Sequence, residues 1–98
     1  MKRMTAETGR FALSKAGRDR DRCFLILDVI DEQFVTVVDG RLRKLSHPKK
    51  KKLMHLRLKP QIAEEFLQKR EQGTLLDSDV RRAIDSFCAE NTIPAIEN

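Results

Sequence analysis

Two neighbouring segments, apolar at almost every position, constrain the fold of this chain more than any other feature. Residues 23–30 (CFLILDVI) and residues 34–38 (FVTVV) are rich in the β-branched and aromatic residues that favour strands. Because successive side chains of a strand point to opposite faces, strands that are apolar throughout need cover on both faces of their sheet. We therefore expect the sheet to close into a small barrel over one face, and another part of the chain to cover the other.

The segment before these strands has the pattern of a strand followed by a loop. From residue 10 onwards, Phe11 and Leu13 alternate with smaller side chains, which is typical of a strand. Residues 15–22 (KAGRDRDR) are too polar for the core, and Gly17 is suited to a positive φ in a loop of this kind. The sequence thus predicts a first strand that a basic loop joins to the second.

Two more strands are predicted after the apolar pair. The dipeptide Asp39-Gly40 is a strong signal for a two-residue hairpin turn, which would return the chain as a fourth strand over residues 41–45. Lys49–Lys52 is then expected to be a loop, and the alternating residues 53–58 are expected to form a fifth strand. The expected fold class is mainly β, a small five-stranded barrel with C-terminal helices.

The C-terminal part of the chain has the apolar periodicity of two short α-helices. Pro60 suits the start of the first helix, Gly73 suits its end, and Asp77 suits the N-cap of the second. The apolar stripes of the two helices are Ile62, Ala63, Phe66 and Leu67, and then Val80, Ala83, Ile84, Phe87 and Cys88. We interpret both stripes as packing faces against the barrel or each other. A groove for a partner protein is the alternative.

Charge divides the chain into a basic part and an acidic part. Residues 1–60 carry 16 basic and seven acidic side chains, a net charge of +9, whereas residues 61–98 carry four basic and eight acidic ones, a net charge of −4. Charged residues make up 36% of the chain, well above the usual share of ~25%. This asymmetry predicts a basic part that faces a polyanion and an acidic part that faces away from it.

The reactive residue types form no pattern that indicates catalysis or metal binding. Cys23 and Cys88 are far apart and lack a CxxC motif, so we expect two reduced thiols, with a disulfide or a reactive thiol as the alternatives. Glycine-rich phosphate loops, nucleophile elbows and HExxH motifs are absent, so no enzyme activity or metal is expected. We expect Asp28 to pair with an arginine, and Asp31 and Asp39 to be turn residues.

Residues 9–26 (GRFALSKAGRDRDRCFLI) resemble a KOW motif. The loop Ser-Lys-Ala-Gly-Arg-Asp is similar to that of bacterial KOW-domain RNA-binding proteins and of a KOW ribosomal protein of the archaeal and eukaryotic large subunit. The basic segments 39–45 and 48–52 also resemble the bacterial members, so the resemblance covers about residues 9–58. KOW motifs usually place a second glycine near the end of the loop, where this chain has Asp21, a residue type that tolerates the left-handed region.

The resemblance implies an SH3-like barrel of the KOW type that binds structured RNA, ribosomal RNA in particular, and uses no cofactor. It divides the chain into a mobile lead-in at residues 1–8, the KOW barrel at residues 9–59 and a helical appendage at residues 60–98 packed on the barrel. We expect a cytoplasmic, ribosome-associated protein of translation, a monomer when free, with ribosomal proteins as further partners and no membrane contact. The alternative is a protein-interaction adaptor in transcription or translation that acts through its C-terminal helices.

Cations of the basic segments are the candidate RNA-binding residues, because arginine engages phosphate oxygens with a planar fork and lysine acts as a point charge. They are Lys15, Arg18, Arg20, Arg22, Arg41, Arg43, Lys44, Lys49, Lys50, Lys51 and Lys52. Gly17 is expected to shape the loop. The resemblance also implies that the first strand pairs with the last, which would bring the loop at residues 15–22 close to the lysine run.

Aromatic residues limit the expected mode of RNA binding. The chain has no Trp and no Tyr, and all five Phe residues lie on apolar stripes that we assign to the core. Readers of single-stranded RNA stack bases on exposed rings. We therefore expect contacts with phosphate, sugar and the shape of folded RNA rather than with splayed-out bases.

Overall fold

The computed structural model describes residues 5–15, 17 and 20–91, and its main element is one antiparallel sheet of five strands. The strands are β1 (Arg10–Ser14), β2 (Cys23–Val29), β3 (Phe34–Val38), β4 (Lys49–Lys52) and β5 (Leu56–Ile62). Their order across the sheet is β4-β3-β2-β1-β5. Two helices follow, α1 (Glu64–Gln72) and α2 (Asp77–Asn91). The expected class, mainly β with two C-terminal helices, is confirmed. Residues 1–4 of the predicted lead-in lie outside the described residues.

The first three strands, and the pairing of the first strand with the last, lie where they are predicted. β1, β2 and β3 coincide with the alternating segment and the two apolar segments of the sequence. β1 pairs antiparallel with β5, and Ser14 lies opposite Leu56. Asp31 forms the turn between β2 and β3, because its Oδ1 accepts hydrogen bonds from the backbone N–H groups of Gln33 and Phe34.

The predicted strand at residues 41–45 is wrong, because the Asp39 carboxylate closes this segment into a loop. Its Oδ1 accepts hydrogen bonds from the backbone N–H groups of Arg41 and Arg43, both at 2.9 Å. The Arg43 carbonyl accepts two more, from the N–H groups of Asp39 (2.9 Å) and Gly40 (3.1 Å). Asp39 is therefore a turn residue, as expected, but these contacts take backbone groups that a longer hairpin ladder would need.

The lysine run forms the fourth strand, so its assignment to a loop is wrong. β4 pairs antiparallel with β3, with Lys49 opposite Val37 and Lys52 opposite Phe34. Lysine has a low intrinsic preference for strands, but preference in a sheet depends strongly on the neighbouring strand. A lysine-rich strand is also well suited to a sheet edge, where charge opposes pairing with other chains. Pairing with the apolar β3 therefore overrides the local sequence signal.

The chain between β4 and α1 is extended further than predicted. One turn of 3₁₀ helix, Leu53–His55, leads into β5, which continues to Ile62. Pro60 therefore lies in a strand and not at the start of a helix. The edge position of β5 tolerates it, because only one side of this strand takes part in a ladder. α1 begins at Glu64 and ends as predicted at Gly73, whose φ is +75°.

The helices cover one face of the sheet through a shared apolar cluster. Phe66 of α1 and Val80 and Phe87 of α2 are buried in it. Phe87 stacks on Phe11 of β1, with ring centroids 4.2 Å apart and ring planes inclined by 8°. The strand residues of the cluster are Phe11, Cys23, Leu25, Leu27 and Val38. The predicted helical stripes thus pack on the sheet, except that the assignment of Ile62 to a helix is wrong, because Ile62 ends β5 opposite Arg10 of β1.

The opposite face of the sheet is buried without help from the helices. Among the described residues, no member of α1 or α2 belongs to the cluster on this face. Its buried residues are Ala12, Phe24, Ile26, Val35, Val37 and Leu56, none of them more than 4% exposed. A flat sheet would leave these side chains in water, so the sheet curves over them.

One hydrogen bond between distant strands shows that the sheet is strongly curved. Lys51 Nζ in β4 donates to Ser14 Oγ in β1 at 3.1 Å. β4 and β1 are three positions apart in the sheet, which is about 14 Å if the sheet is flat. A lysine and a serine side chain together cannot span that distance. Within the described residues, however, no ladder joins the edge strands β4 and β5, so the closed barrel stays a prediction.

We expect Phe66→Ala and Phe87→Ala each to lower the free energy of unfolding by about 3–5 kcal/mol, because each ring is almost wholly buried and its removal leaves a cavity. Urea unfolding followed by circular dichroism measures the change. Leu76→Ala is the control, since Leu76 is 62% exposed and its truncation should cost less than about 0.5 kcal/mol. A loss below ~1 kcal/mol at both phenylalanines would contradict the packing of the helices on the sheet.

Candidate nucleic-acid interface

The basic loop between β1 and β2 has the backbone conformation that its glycine predicts. Gly17 has a φ of +75° and Asp21 a φ of +67°. Both residues therefore adopt the left-handed conformation, which glycine adopts freely and aspartate tolerates better than most residues. Ser14 closes the base of the loop, since its carbonyl accepts a hydrogen bond from the N–H of Asp21 at 2.8 Å. Arg20 is exposed in this loop, and Arg18 lies outside the described residues.

Two contacts bring the loop between β1 and β2 next to the lysine strand. The backbone N–H of Lys15 donates to the carbonyl of His55, at 2.8 Å, in the turn that follows β4. The side chain of Lys51 in β4 reaches Ser14, the residue that precedes Lys15. The side chain of Lys15 is exposed at this junction. Lys15 and β4 are therefore adjacent, although the lysine strand begins 34 positions after Lys15 in the sequence.

The four lysines of β4 alternate between two faces of the sheet. Lys49 and Lys51 are half-buried and lie opposite Val37 and Val35 of the inner cluster. Lys50 and Lys52 are exposed on the other face, where Lys52 lies opposite Phe34. Phosphate contacts from β4 are therefore available mainly to the exposed pair.

Phe34 departs from the prediction that every phenylalanine belongs to the core. The other four rings are buried, whereas Phe34 is half-buried and belongs to neither apolar cluster. Lysine ammonium groups lie over its ring instead. Lys50 Nζ is 4.4 Å from the ring centroid and Lys52 Nζ is 5.9 Å from it, both within the range of cation–π contacts. The sequence pattern missed this, because apolar alternation does not indicate where a cluster ends along a strand.

Arg22 has a carboxylate partner within the protein. One of its guanidinium nitrogens lies 3.6 Å from Asp39 Oδ2, and the Asp39 side chain is only 6% exposed. This is an ion pair rather than a hydrogen bond, because the distance exceeds hydrogen-bond range. Arg22 thus supplies a counter-charge to the buried carboxylate that shapes the loop at residues 39–43, so its charge is less available to a ligand.

The segment with Arg41, Arg43 and Lys44 packs against the start of α2. Leu45 donates its backbone N–H to Asp77 Oδ1 at 2.8 Å, so this carboxylate, predicted as a helix N-cap, holds the loop. A Cβ on Gly40 would lie 2.6 Å from the Asp77 carbonyl oxygen, so only glycine fits there. Arg41 forms an exposed ion pair with Asp85 of α2 at 3.4 Å.

The predicted basic surface is therefore divided. Arg41 lies beside the acidic second helix, whereas Lys15 lies beside β4. Arg43 is half-buried and Lys44 is exposed in the loop that joins β3 to β4. The structure brings together the first basic segment and the lysine run, and it places Arg41 next to a carboxylate.

The helices use their own cations in contacts within the protein. Lys69 Nζ donates to Asp79 Oδ1 at 2.8 Å, and this hydrogen bond holds the pKa of the Asp79 carboxyl below its usual value and raises the pKa of Lys69. Arg70 pairs with Asp28 Oδ1 at 2.7 Å, which confirms the predicted arginine partner of that aspartate. Arg81 donates to the Gly40 carbonyl at 2.7 Å.

The two cysteines lie together between the sheet and α2. Cys23 is buried in the apolar cluster beneath the helices, and the half-buried Cys88 packs against that cluster. Both carry free thiols. Burial raises the pKa of Cys23 and of Cys88, and the neighbouring Cys88 thiol raises that of Cys23 further. Thiolate formation, which nucleophilic reactivity requires, is disfavoured at both positions.

Comparison with protein-family models and with curated proteins gives no relative on which to base a function. The sequence matches no protein-family model, and no curated protein matches it. No helix in the described part of the chain is long and apolar enough to cross a membrane. The same residues contain no group of three or more His, Cys, Asp or Glu side chains that could hold a metal ion.

We expect Arg22→Gln to destabilise the protein by about 1–2 kcal/mol, because it removes the counter-charge of a buried carboxylate. Arg20→Gln removes the same charge from an exposed position of the same loop and should be nearly neutral. Thermal unfolding of both variants measures the difference. Equal stability of the two variants would mean that the pair with Asp39 has no structural role, and Arg22 would rank with the other loop cations.

Proposed function

We propose that this chain is an RNA-binding protein of the translation machinery that docks on structured RNA, ribosomal RNA in particular, through phosphate contacts. The observation that carries the proposal is the junction of two basic segments. Lys51 bonds to Ser14 and the backbone of Lys15 bonds to His55, so cations far apart in sequence share one surface. Phosphate groups are spaced along a backbone, so such a joined surface suits them better than one isolated charge run.

The charge state of this surface supports the same proposal. Among the described residues, neither Lys50 nor Lys52 forms an ion pair, and both side chains are exposed. Their ammonium groups can therefore reach phosphate oxygens without first breaking a salt bridge. Lys15, Arg20 and the half-buried Lys49 add charge around them, and the whole of residues 1–60 carries a net charge of +9.

We also propose that the part of the chain predicted as a barrel, residues 9–59, is an SH3-like barrel of the KOW type, which extends to Ile62 because β5 ends there, with the helices as an appendage from Glu64. Several features support it: the curved sheet, the pairing of β1 with β5, the single 3₁₀ turn between β4 and β5, and positive φ angles at Gly17 and Asp21. We further propose that the protein is cytoplasmic and associates with the ribosome. When it is not bound there, it is a monomer, and it uses no cofactor.

The affinity for RNA should depend strongly on salt. If roughly five phosphates are neutralised, log K should fall against log salt concentration with a slope of about −3.5 to −4.5. Fluorescence anisotropy with a labelled ribosomal RNA hairpin, between low and physiological salt, measures the slope. Changing both Lys50 and Lys52 to Gln should make it shallower by about 1.5–2, whereas Arg82→Gln, on the helical side, should leave it unchanged. A slope near zero for the parent protein would exclude phosphate contacts as the basis of binding.

Lys15 and the exposed lysines of β4 should act on the same RNA molecule and in a coupled way. The test compares Lys15→Gln, the Lys50→Gln/Lys52→Gln pair, and all three changes together at fixed salt. Because the segments are adjacent, we expect the combined loss to differ from the sum of the separate losses by more than about 0.5 kcal/mol. Strict additivity would favour two separate sites. The same cycle with Arg18→Ala extends the test to the rest of the loop.

A protein-interaction adaptor acting through the C-terminal helices is the second candidate function. One observation favours it, a cavity of about 340 Å³ between β1, the end of β5 and the two helices. The cavity is lined in part by Phe11, Phe66 and Phe87, and also by the acidic residues Glu64 and Glu90. Absence of RNA binding at low salt, together with a folded protein, would make this the better proposal.

A further inference from the structure

One aromatic ring of this basic surface is not part of the core. Phe34 begins β3 and is half-buried, and it lies directly opposite Lys52 on the exposed face of the sheet edge. Lys50 and Lys52 place their ammonium groups over this ring at 4.4 and 5.9 Å from its centroid. Contacts of this kind are weak at exposed sites, and the flexible lysine stems can move their charges elsewhere.

A cavity lies at the turn before β3, and Phe34 is linked to it by its chain neighbour Gln33 and by Lys52, which both line the cavity. Its volume is about 420 Å³, which falls within the range of small-ligand sites. The cavity is lined by Glu32, Gln33, Lys52, Leu53 and Met54. Lys52 thus belongs both to the cavity wall and to the surroundings of the Phe34 ring, and Met54 is 69% exposed at the cavity.

We propose that Phe34 and this cavity bind one unpaired nucleotide of the RNA, a step that rests on the proposed RNA-binding function. The base stacks on the Phe34 ring after Lys50 moves aside. The ammonium groups of Lys50 and Lys52 then contact the flanking phosphates. Each cation thus replaces a weak contact with the ring by a charge-assisted hydrogen bond to phosphate. Stacking on an aromatic ring is open to every base, because every base has a π-face.

The polar groups of the cavity determine which end of the nucleotide enters it. Glu32 is one of the residues that line the cavity, and its negative charge disfavours a phosphate there. Gln33 adds an amide that can both donate and accept hydrogen bonds. A base with an exocyclic amino group can donate to the Glu32 carboxylate, whereas a phosphate cannot. The base is therefore on the cavity side and the phosphates are on the side of Lys50.

The experiment uses the full chain with two RNA probes, an oligoadenylate of about eight nucleotides and a fully paired duplex with the same number of phosphates. Phe34→Leu should weaken binding of the single strand by about 5–100-fold, the effect of losing one stacked base. The same variant should leave duplex affinity and both salt slopes unchanged. Phe34→Trp should restore single-strand affinity. Because the parent chain has no Trp, this side chain is also a unique fluorophore, which a stacked base should quench.

Controls separate this proposal from the proposed function. Lys50→Gln should weaken binding of both probes, because it removes a phosphate contact. If the parent protein binds the duplex but Phe34→Leu binds the single strand equally well, the stacking proposal is overturned and RNA binding stands. If the parent binds neither probe at low salt, both are overturned. Should Phe34→Leu fail to fold, the Phe34→Trp fluorescence decides alone, and equal quenching by both probes, or none by the single strand, overturns the proposal.

Discussion

Burial of the two central strands on both faces is the constraint on which the rest of the structure depends. β2 and β3 supply Leu25 and Val38 to the cluster beneath the helices, and Ile26 and Val37 to the cluster on the other face. The described part of the chain has two α-helices, and both pack on the same face of the sheet. The two helices cover one face and the curvature of the sheet covers the other. That curvature brings β4 over the inner face towards β1, and the basic surface results from it.

The lysine strand meets a structural need of the sheet edge and also supplies the cations of the proposed RNA-binding surface. An edge strand that exposes its backbone invites pairing with other chains, and charged side chains prevent this. Lys51 lies on the inner face and donates a hydrogen bond to the hydroxyl of Ser14. Its charge therefore has a polar partner beside the apolar cluster. Lys50 and Lys52 face outward, where charge costs little. The same four residues therefore define a sheet edge, fix its distance from β1, and present two cations to solvent.

Apolar pattern predicted those parts of the fold where burial decides the structure. The apolar pattern predicted β1, β2, β3 and the helical stripes, because apolar side chains prefer the interior and the sequence shows where they recur. It failed where backbone contacts or long-range pairing decide. The Asp39-Gly40 signal is correct for a turn, but capture of two backbone N–H groups by the Asp39 carboxylate gives a loop instead of a hairpin. The lysine run is a strand only because β3 lies beside it, and Phe34 leaves the core only because its strand extends beyond both clusters.

Charge in the helical part bears on how the molecule can be oriented on a polyanion. Each of its four cations contacts a group of the protein: Lys69 and Arg82 contact Asp79, Arg70 contacts Asp28, and Arg81 contacts the Gly40 carbonyl. These cations can bind a ligand only if they break a contact within the protein. The exposed carboxylates of residues such as Glu64 and Glu90, in contrast, repel phosphate without any change in the fold. If the proposed RNA ligand is bound, attraction at β4 and repulsion at the helices would orient the molecule together, since a wrong orientation both loses contacts and brings like charges into proximity. A basic patch on a uniformly basic protein would bind as tightly, but it would not determine which face meets the RNA.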